Sequence, residues 1–234
     1  MVIIDAIMMN NPCYKANKKI KVKGLMLHSV GCPQPSASVF IRNWNKSSFN
    51  NACVHAFIDG NTGAVHQTLP WEHRGWHAGD DANNTHIGVE MCEPSTIKYT
   101  SGATFTVKDE KDAKAVAMRT YNSAVELFAE LCTVYDLDPL ADGVIISHAE
   151  GYKRGVASNH ADPEHLWKQL KLPYTMNTFR QQVAQKMKPT NTTDNKNVFY
   201  RVQVGAFTNK KNAEKLVADL KKIGYEAIIT KVTV

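Results

Sequence analysis

The stretch KVKGLMLHSV, from Lys21 to Val30, decides the fold that this sequence predicts. Its apolar residues form a strand-like run, and His28 stands at the end of that run. A second strand-like run, Gly143–His148, also ends in a histidine, and Asp162 follows it within IISHAEGYKRGVASNHADP. Two imidazoles and one carboxylate suit a catalytic zinc, because three protein ligands leave the fourth tetrahedral position open. The trio is therefore a candidate zinc site, and a hydrolase is the first hypothesis.

The pattern around these two runs predicts an α/β fold with a central mixed β-sheet flanked by helices. From Asp109 to about Tyr135, apolar residues recur at three- and four-residue spacing, which is typical of an amphipathic helix that covers one sheet face. Two further helices are predicted, one that opens at Asp162 with Pro163 at its first helical position and one from Thr175 to Met187. The other predicted strands are residues 52–58, 64–69 and 86–92, the first two joined by DGNTG.

A polar segment near the carboxyl end predicts a division into two unequal domains. Residues 188–197, KPTNTTDNKN, contain no large apolar side chain and have the composition of a linker. This places the main domain at residues 1–187 and a small βαβ module at residues 198–234. In the module, the strands VFYRVQVGAF and YEAIITKV flank a helix that Asn209 caps and Gly224 ends. A chain of 234 residues can hold one full-sized core and such an appendage.

Composition excludes several classes of protein. With 43% hydrophobic and 21% charged residues, the chain is an ordinary globular sequence, and no apolar run is long enough for membrane insertion. The start, MVIIDAIMMNN, lacks a basic region ahead of its apolar stretch, so a conventional secretory signal is not expected. The five cysteines are scattered and never spaced C-x-x-C. We expect reduced thiols, and nothing in their spacing favours a thiolate zinc site.

Positive charge is concentrated at the carboxyl end. The chain carries a net +6, and residues 198–234 hold seven Lys or Arg against three Asp or Glu, a net +4. Such a region favours anionic surfaces. It has no named nucleic-acid motif and no obvious aromatic stacking platform, so nucleic acid is not the expected partner. An anionic cell wall fits the charge equally well.

Five ordered blocks lie between about residues 20 and 170: KGLMLHSVG, VHAFIDGNTGAVHQTLP, GWHAG, NNTHIGVEM, and IISHAEGYKRG with NHADPEHLW. Together they resemble the zinc-dependent N-acetylmuramoyl-L-alanine amidases of the type-2 class, which are related to phage lysozyme-type amidases and peptidoglycan recognition proteins. The resemblance implies that residues 1–187 are a catalytic domain with one Zn²⁺. It also implies hydrolysis of the amide bond between N-acetylmuramic acid and the L-alanine of the stem peptide.

The resemblance assigns the zinc ligands to His28, His148 and Asp162. In the family, histidines close the corresponding two strands, and an acidic or cysteine residue precedes the proline. Taken alone, His28 could instead be a satisfied histidine at a strand end. Asp162, before Pro163 and a helical pattern, could be a helix N-cap, and both roles can coexist.

Two residues are candidates for catalysis. Strand alternation puts Glu90 on the face opposite its apolar neighbours, and similar bacterial enzymes use a glutamate here as acid/base. The alternative is a salt-bridged or solvent-facing carboxylate. His160 stands where many relatives carry a lysine that stabilises the charged intermediate. An imidazolium could donate the same hydrogen bond. Alternatively, His160 shapes the loop or competes as a ligand.

Further residues are candidates to line a substrate-binding groove or to lie beneath the site. Trp76 and His77, in GWHAG, resemble the family's groove-lining segment and are candidates to hold sugar or stem peptide, with simple packing as the alternative. Val54 stands where some relatives have a catalytic tyrosine, so a tyrosine mechanism is not open there. His55 is expected to pack or hydrogen-bond beneath the site. The remaining histidines are expected at the surface or in loops: His66, His73, His86 and His165.

The tail resembles half of a SPOR domain, the peptidoglycan-binding module of many wall hydrolases. Such a half-module could dock on the main domain, pair with another copy, or belong to a truncated chain. The expected partner is peptidoglycan, with self-association through this module. A wall substrate without a signal sequence predicts release by a phage lysis pore or cell rupture, as for an endolysin; an autolysin exported otherwise is the alternative. The rival functions are a non-catalytic peptidoglycan receptor and a zinc peptidase that cuts within the stem peptide.

Overall fold

The computed structural model describes residues 2–188 and 205–222, together with residues 224, 225, 227 and 229. Contacts between residues divide the chain into two compact units, Met1–Thr190 and Asn191–Val234. The predicted linker, residues 188–197, lies almost wholly outside the described residues. Its exact placement stays a prediction.

A six-stranded mixed sheet forms the centre of the first unit. The described strands of this unit, which belong to two sheets, are β1 (Ile3–Asp5), β2 (Gly24–Ser29), β3 (Ala56–Ile58), β4 (Val65–Gln67), β5 (His86–Met91), β6 (Ile97–Ser101), β7 (Thr104–Val107) and β8 (Ile145–Ser147). The sheet order is β1-β4-β3-β5-β2-β8, and β6 and β7 form a separate two-stranded sheet. Strand β2 pairs in parallel with both β5 and β8, whereas β3 is antiparallel to β4. The mixed α/β sheet confirms the predicted fold class.

The first unit also contains α-helices, several of which pack against this sheet. In the first unit they are α1 (Pro12–Ala16), α2 (Ala37–Trp44), α3 (Glu110–Val134), α4 (His148–Lys153), α5 (Glu164–Gln169) and α6 (Met176–Met187). Asp109 caps the long helix α3, because its side chain accepts a hydrogen bond from the Asp112 N–H. Thr175 begins α6 with reciprocal side-chain and backbone hydrogen bonds to Thr178. Both helices were predicted with nearly these bounds, whereas β1, α1, α2 and the β6–β7 hairpin were not predicted.

The two faces of β2 contact different surroundings. Every residue of β2 is buried. Leu25 and Leu27 point into the main core, which contains most of the buried residues of α3. Met26 lies on the other face, in a small cluster with Ala78 and Ile146. Because side chains alternate along a strand, His28 shares this second face with Met26. The sheet therefore uses one face for its core and offers the other to the candidate site.

The start of α5 differs from the prediction. The helix begins at Glu164, with Pro163 as its N-cap residue, and no side chain provides a capping hydrogen bond. The Asp162–Pro163 peptide bond is cis. The predicted N-cap role of Asp162 is therefore wrong. Its carboxylate oxygen Oδ2 accepts a hydrogen bond from the Ser29 N–H at 3.3 Å, at the end of β2.

The second unit contains one described helix, α7 (Lys210–Lys222). Asn209 Oδ1 accepts a hydrogen bond from the Lys211 N–H, and Gly224, with φ of +90°, ends the helix, as predicted. The two predicted strands, residues 198–207 and 225–232, lie largely outside the described residues. Among the described helices of both units, none is both long and apolar enough to cross a membrane.

Candidate metal centre and cleft

Two strand ends and one loop bring the predicted trio together. His28 is near the carboxyl end of β2, and His148 is the first residue of α4, directly after β8. Because β2 and β8 are parallel neighbours, their carboxyl ends meet at one edge of the sheet. Ser147 fixes the turn into α4 through a capping box with Glu150. Asp162 arrives from the following loop, and its carbonyl oxygen accepts a hydrogen bond from the Ala149 N–H at 3.2 Å.

The three side chains are buried and their donor atoms converge. The Nδ1 atoms of His28 and His148 are 3.0 Å apart. Asp162 Oδ2 is 3.4 Å from His28 Nδ1, and Asp162 Oδ1 is 3.8 Å from His148 Nδ1. Ligand atoms of a tetrahedral zinc, with bonds of about 2.0 to 2.2 Å, are roughly 3.4 Å apart. The spacing of this trio therefore fits a zinc ion.

The hydrogen bonds of His148 leave its Nδ1 atom free to bind a metal. His148 Nε2 is 3.1 Å from Ser158 Oγ, and Ser158 Oγ donates to the Ala78 carbonyl at 3.2 Å. A hydroxyl has one proton, so Ser158 accepts from the His148 Nε2–H. The lone pair of His148 Nδ1 then points at the neighbouring imidazole and carboxylate. A cation satisfies such converging acceptors, which would otherwise repel one another.

Burial and neighbouring groups keep the ligand atoms unprotonated. Burial, together with nearby His28, lowers the pKa of His148 to about 4. Burial alone would raise the pKa of Asp162, but the neighbouring imidazoles of His28 and His148 outweigh burial and hold that pKa below its usual range. Metal ligands must be deprotonated to bind. Near neutral pH, His148 and Asp162 can therefore bind a cation without first losing a proton.

Glu90 lies beside the trio. Strand pairing places it directly opposite His28. Its Oε2 atom is buried and has no hydrogen-bond partner among the described residues, which differs from the salt-bridged alternative. Burial, with the negative charges of Asp162 and Glu93, raises the pKa of Glu90 well above its usual value. An unpaired carboxyl with a raised pKa is suited to proton transfer.

A cleft of about 450 Å³ opens over these groups, and its lining includes Glu90, His148, His160, Asp162 and Trp76. His160 is exposed, and its Nδ1 atom is 3.1 Å from Ser158 Oγ. Its ring centroid is 4.3 Å from that of His148. The candidate oxyanion partner thus lies next to a candidate ligand without belonging to the converging trio.

Trp76 and His77 are placed differently from each other. Trp76 is 45% exposed and lines the cleft, as expected of a groove residue. His77 also lines the cleft, but it is only 9% exposed, and both of its ring nitrogens have partners within the protein. Its Nδ1 atom is 3.0 Å from His28 Nε2, and its Nε2 atom is 3.1 Å from the His86 carbonyl oxygen. The hydrogen-bonding atoms of His77 therefore face the interior rather than the cleft.

The remaining histidines include several that are more buried than predicted. His55 lies beneath the site, donating from Nε2 to the His73 carbonyl and accepting the Gly88 N–H at Nδ1, as expected. His73 lies in the loop between β4 and β5, as predicted, but it is buried, at 5% exposure. His86 begins β5 and is 9% exposed, so its predicted surface or loop placement is wrong. The side chain of His165, at 9% exposure, is buried as well. The sequence shows that a residue is in a loop, but not that the loop is covered.

A buried network around Glu93 was not predicted. Glu93 is fully buried and accepts hydrogen bonds from the Tyr99 hydroxyl at 2.7 Å and the Gly31 N–H at 3.1 Å. His165 Nε2 is 2.7 Å from the same hydroxyl. Burial raises the pKa of Glu93 to about 7, although the hydrogen bonds from Tyr99 and Gly31 oppose this. The network depends on the β6–β7 hairpin, so no local signal around Glu93 could have revealed it.

Comparisons with known proteins agree with this architecture. The profile of the N-acetylmuramoyl-L-alanine amidase family (Amidase_2) matches residues 18–165, and that of the SPOR domain matches residues 176–233. The SPOR match thus begins 22 residues before the predicted module and includes α6. No curated protein matches the sequence.

Several solved structures are similar in fold. The Staphylococcus aureus hydrolase AmiA in complex with its ligand is 19% identical, with a TM-score of 0.60, over 80% of this chain and 83% of that chain. A mutant endolysin from Bacillus subtilis is 19% identical, with a TM-score of 0.53, over 78% and 99%. The PlyG catalytic domain is 19% identical, with a TM-score of 0.54, over 82% and 99%. Identities this low establish the shared fold alone.

Proposed function

Since this chain belongs to the N-acetylmuramoyl-L-alanine amidase family, we propose that it is a zinc-dependent hydrolase of peptidoglycan. The bond it cleaves is the amide between N-acetylmuramic acid and the L-alanine of the stem peptide. The observation that carries this proposal is the convergence of His28, His148 and Asp162 beside the unpaired carboxyl of Glu90. A non-catalytic receptor needs neither the ligand trio nor a proton-transfer group.

The residues around the trio divide the chemistry among them. When bound, zinc would polarise the scissile carbonyl and lower the pKa of a coordinated water to about 7. Glu90 accepts a proton from the attacking water and then gives a proton to the leaving amine of L-alanine. His160 donates a hydrogen bond to the oxygen that becomes negatively charged. The exposed ring of Trp76 holds sugar or peptide against the cleft.

Digestion of purified peptidoglycan tests the cleaved bond. We expect mass spectrometry to find free lactyl carboxyl groups on muramic acid and new amino-terminal L-alanine. Cuts between amino acids of the stem peptide would identify a peptidase instead. Binding without any new end group would identify a receptor.

Removal of the metal tests the cofactor. Protein freed of metal by a chelator, and checked by elemental analysis, should lose hydrolysis of wall suspensions and regain it with added Zn²⁺. Equal activity of the metal-free and zinc-loaded forms would contradict a catalytic zinc.

The SPOR match supports a second role for the chain, attachment to the wall. We propose that the carboxyl-terminal unit raises the local concentration of the enzyme on peptidoglycan. Self-association through this unit, and release through a lysis pore or cell rupture, remain predictions. Measurement of the molecular mass in solution tests the former.

A further inference from the structure

The His77 ring lies between the candidate ligand His28 and the backbone of β5. Its Nδ1 atom is 3.0 Å from His28 Nε2, and its Nε2 atom is 3.1 Å from the His86 carbonyl oxygen. The two rings meet edge to face, with an interplanar angle of 80°. His77 therefore contacts the nitrogen of His28 that faces away from His148 and Asp162.

These contacts determine where the protons are. A carbonyl oxygen only accepts hydrogen bonds, so His77 Nε2 must carry a proton and donate it to His86. In a neutral imidazole the other nitrogen is then an acceptor. His77 Nδ1 consequently accepts a hydrogen bond from the His28 Nε2–H. This leaves the Nδ1 lone pair of His28 directed at His148 and Asp162.

A doubly protonated His77 would reverse this pattern, but its surroundings oppose the charge. The ring is 9% exposed, and its two hydrogen-bond partners are a carbonyl and an imidazole. A buried cation needs a paired anion to offset its lost hydration. The neutral form with its proton on Nε2 fits the site.

The structure holds His77 firmly in this position. The N–H groups of His77 and Ala78 both donate to Asn83 Oδ1, at 2.7 and 2.9 Å. The preceding residue, Trp76, exchanges two backbone hydrogen bonds with Cys53, at 2.8 and 2.9 Å. The ring fills space that a glycine leaves open, since a Cβ atom at Gly88 would lie 2.4 to 2.6 Å from three of its atoms.

We infer that His77 is a positioning residue, which fixes the tautomer and orientation of His28 so that Nδ1 can bind the metal. The inference rests on the proposed zinc site. Without an acceptor at His77, the His28 proton would move to Nδ1, where the Asp162 carboxylate at 3.4 Å would attract it. That proton would occupy the ligand atom and compete with zinc.

Substitutions that separate ring volume from hydrogen bonding test this role. His77→Phe keeps a ring of similar size without an acceptor, and we expect about a 10- to 100-fold loss of zinc affinity in competition with a chromophoric chelator. His77→Asn puts an amide oxygen at the δ1 position, so it should retain most of the affinity. Gly88→Ala should displace the ring and weaken zinc binding without changing any hydrogen-bonding group.

His86→Phe is the matched control. It removes another buried imidazole, whose Nε2 donates to the Gly143 carbonyl at 3.0 Å, but leaves the carbonyl that His77 needs. Its zinc affinity should equal that of the wild type. An unchanged affinity in His77→Phe, or equal losses in the Phe and Asn variants at position 77, would overturn the inference.

The tautomer can also be observed directly in the wild type, which covers the case of a variant that does not fold. Long-range ¹⁵N–¹H NMR of metal-free protein should find the Nε2 atom of His28 protonated. A neutral His28 with its proton on Nδ1 and a bare Nε2 would overturn the inference. This result does not depend on hydrolysis, so a chain that failed to cleave peptidoglycan would refute the proposed function alone.

Discussion

At the scale of single residues, the position of Glu90 opposite His28 gives the first test of the chemistry. In Glu90→Gln the shape is kept but the proton acceptor is lost. We expect turnover to fall by about 10²- to 10⁴-fold, the usual contribution of a general acid or base. Zinc content should stay at one per chain, because Glu90 is not among the converging donors. Unchanged turnover with zinc retained would remove Glu90 from the mechanism.

His160 is tested by removing the hydrogen-bond donor that we propose for the oxyanion. In His160→Ala we expect turnover to fall by about 10²-fold, the usual effect of losing one such donor. His160→Lys restores a donor and should retain more of the turnover than His160→Ala. The control is His66→Ala, which makes the same change on β4, away from the residues that line the cleft. Equal turnover of His160→Ala and the wild type would remove His160 from the mechanism.

At the scale of elements, the β6–β7 hairpin is joined to the site through Tyr99 and Glu93. Because burial raises the pKa of Glu93 from 4.5 to about 7, folding favours its neutral form. The contribution of the neutral Glu93 side chain to the free energy of unfolding is complete below about pH 4.5 and is lost as the pH rises through about 7. A shift of this size corresponds to roughly 3 kcal/mol.

Glu93→Gln, neutral at every pH, should lack this loss. In urea unfolding of metal-free protein at pH 5 and pH 8, the free energy of unfolding should fall less in this variant than in the wild type. Glu130→Gln, on the exposed face of α3, should behave like the wild type. Equal pH dependence in all three proteins would contradict a neutral buried Glu93.

At the scale of the whole molecule, the two units predict separable functions. A chain that ends at Thr190 keeps the sheet, the trio and the cleft. It should hydrolyse soluble muropeptides at the rate of the full chain but bind less to sedimented wall and clear it more slowly. Equal sedimentation of both chains with wall would refute attachment through the carboxyl-terminal unit.

The sequence by itself determined the features that depend on local pattern. The strand ending at His28, the long helix α3 and the Thr175 cap were predicted because hydrophobic periodicity and capping chemistry are encoded within a few residues. The candidate ligands were found because each stands beside such an element. Motif order then supplied the family.

Only the tertiary structure decided the surroundings of those ligands. The hydrogen-bond partners of the His28 and His148 Nε2 atoms are His77 and Ser158, which lie 49 and 10 residues away along the chain. The sequence placed His77 in the groove, but the structure turns its ring nitrogens toward the interior. Long-range contacts of this kind follow from how loops close over the sheet. Local pattern fixes which residues reach the sheet edge, whereas packing fixes which ring nitrogen of His28 and of His148 faces the other ligand atoms.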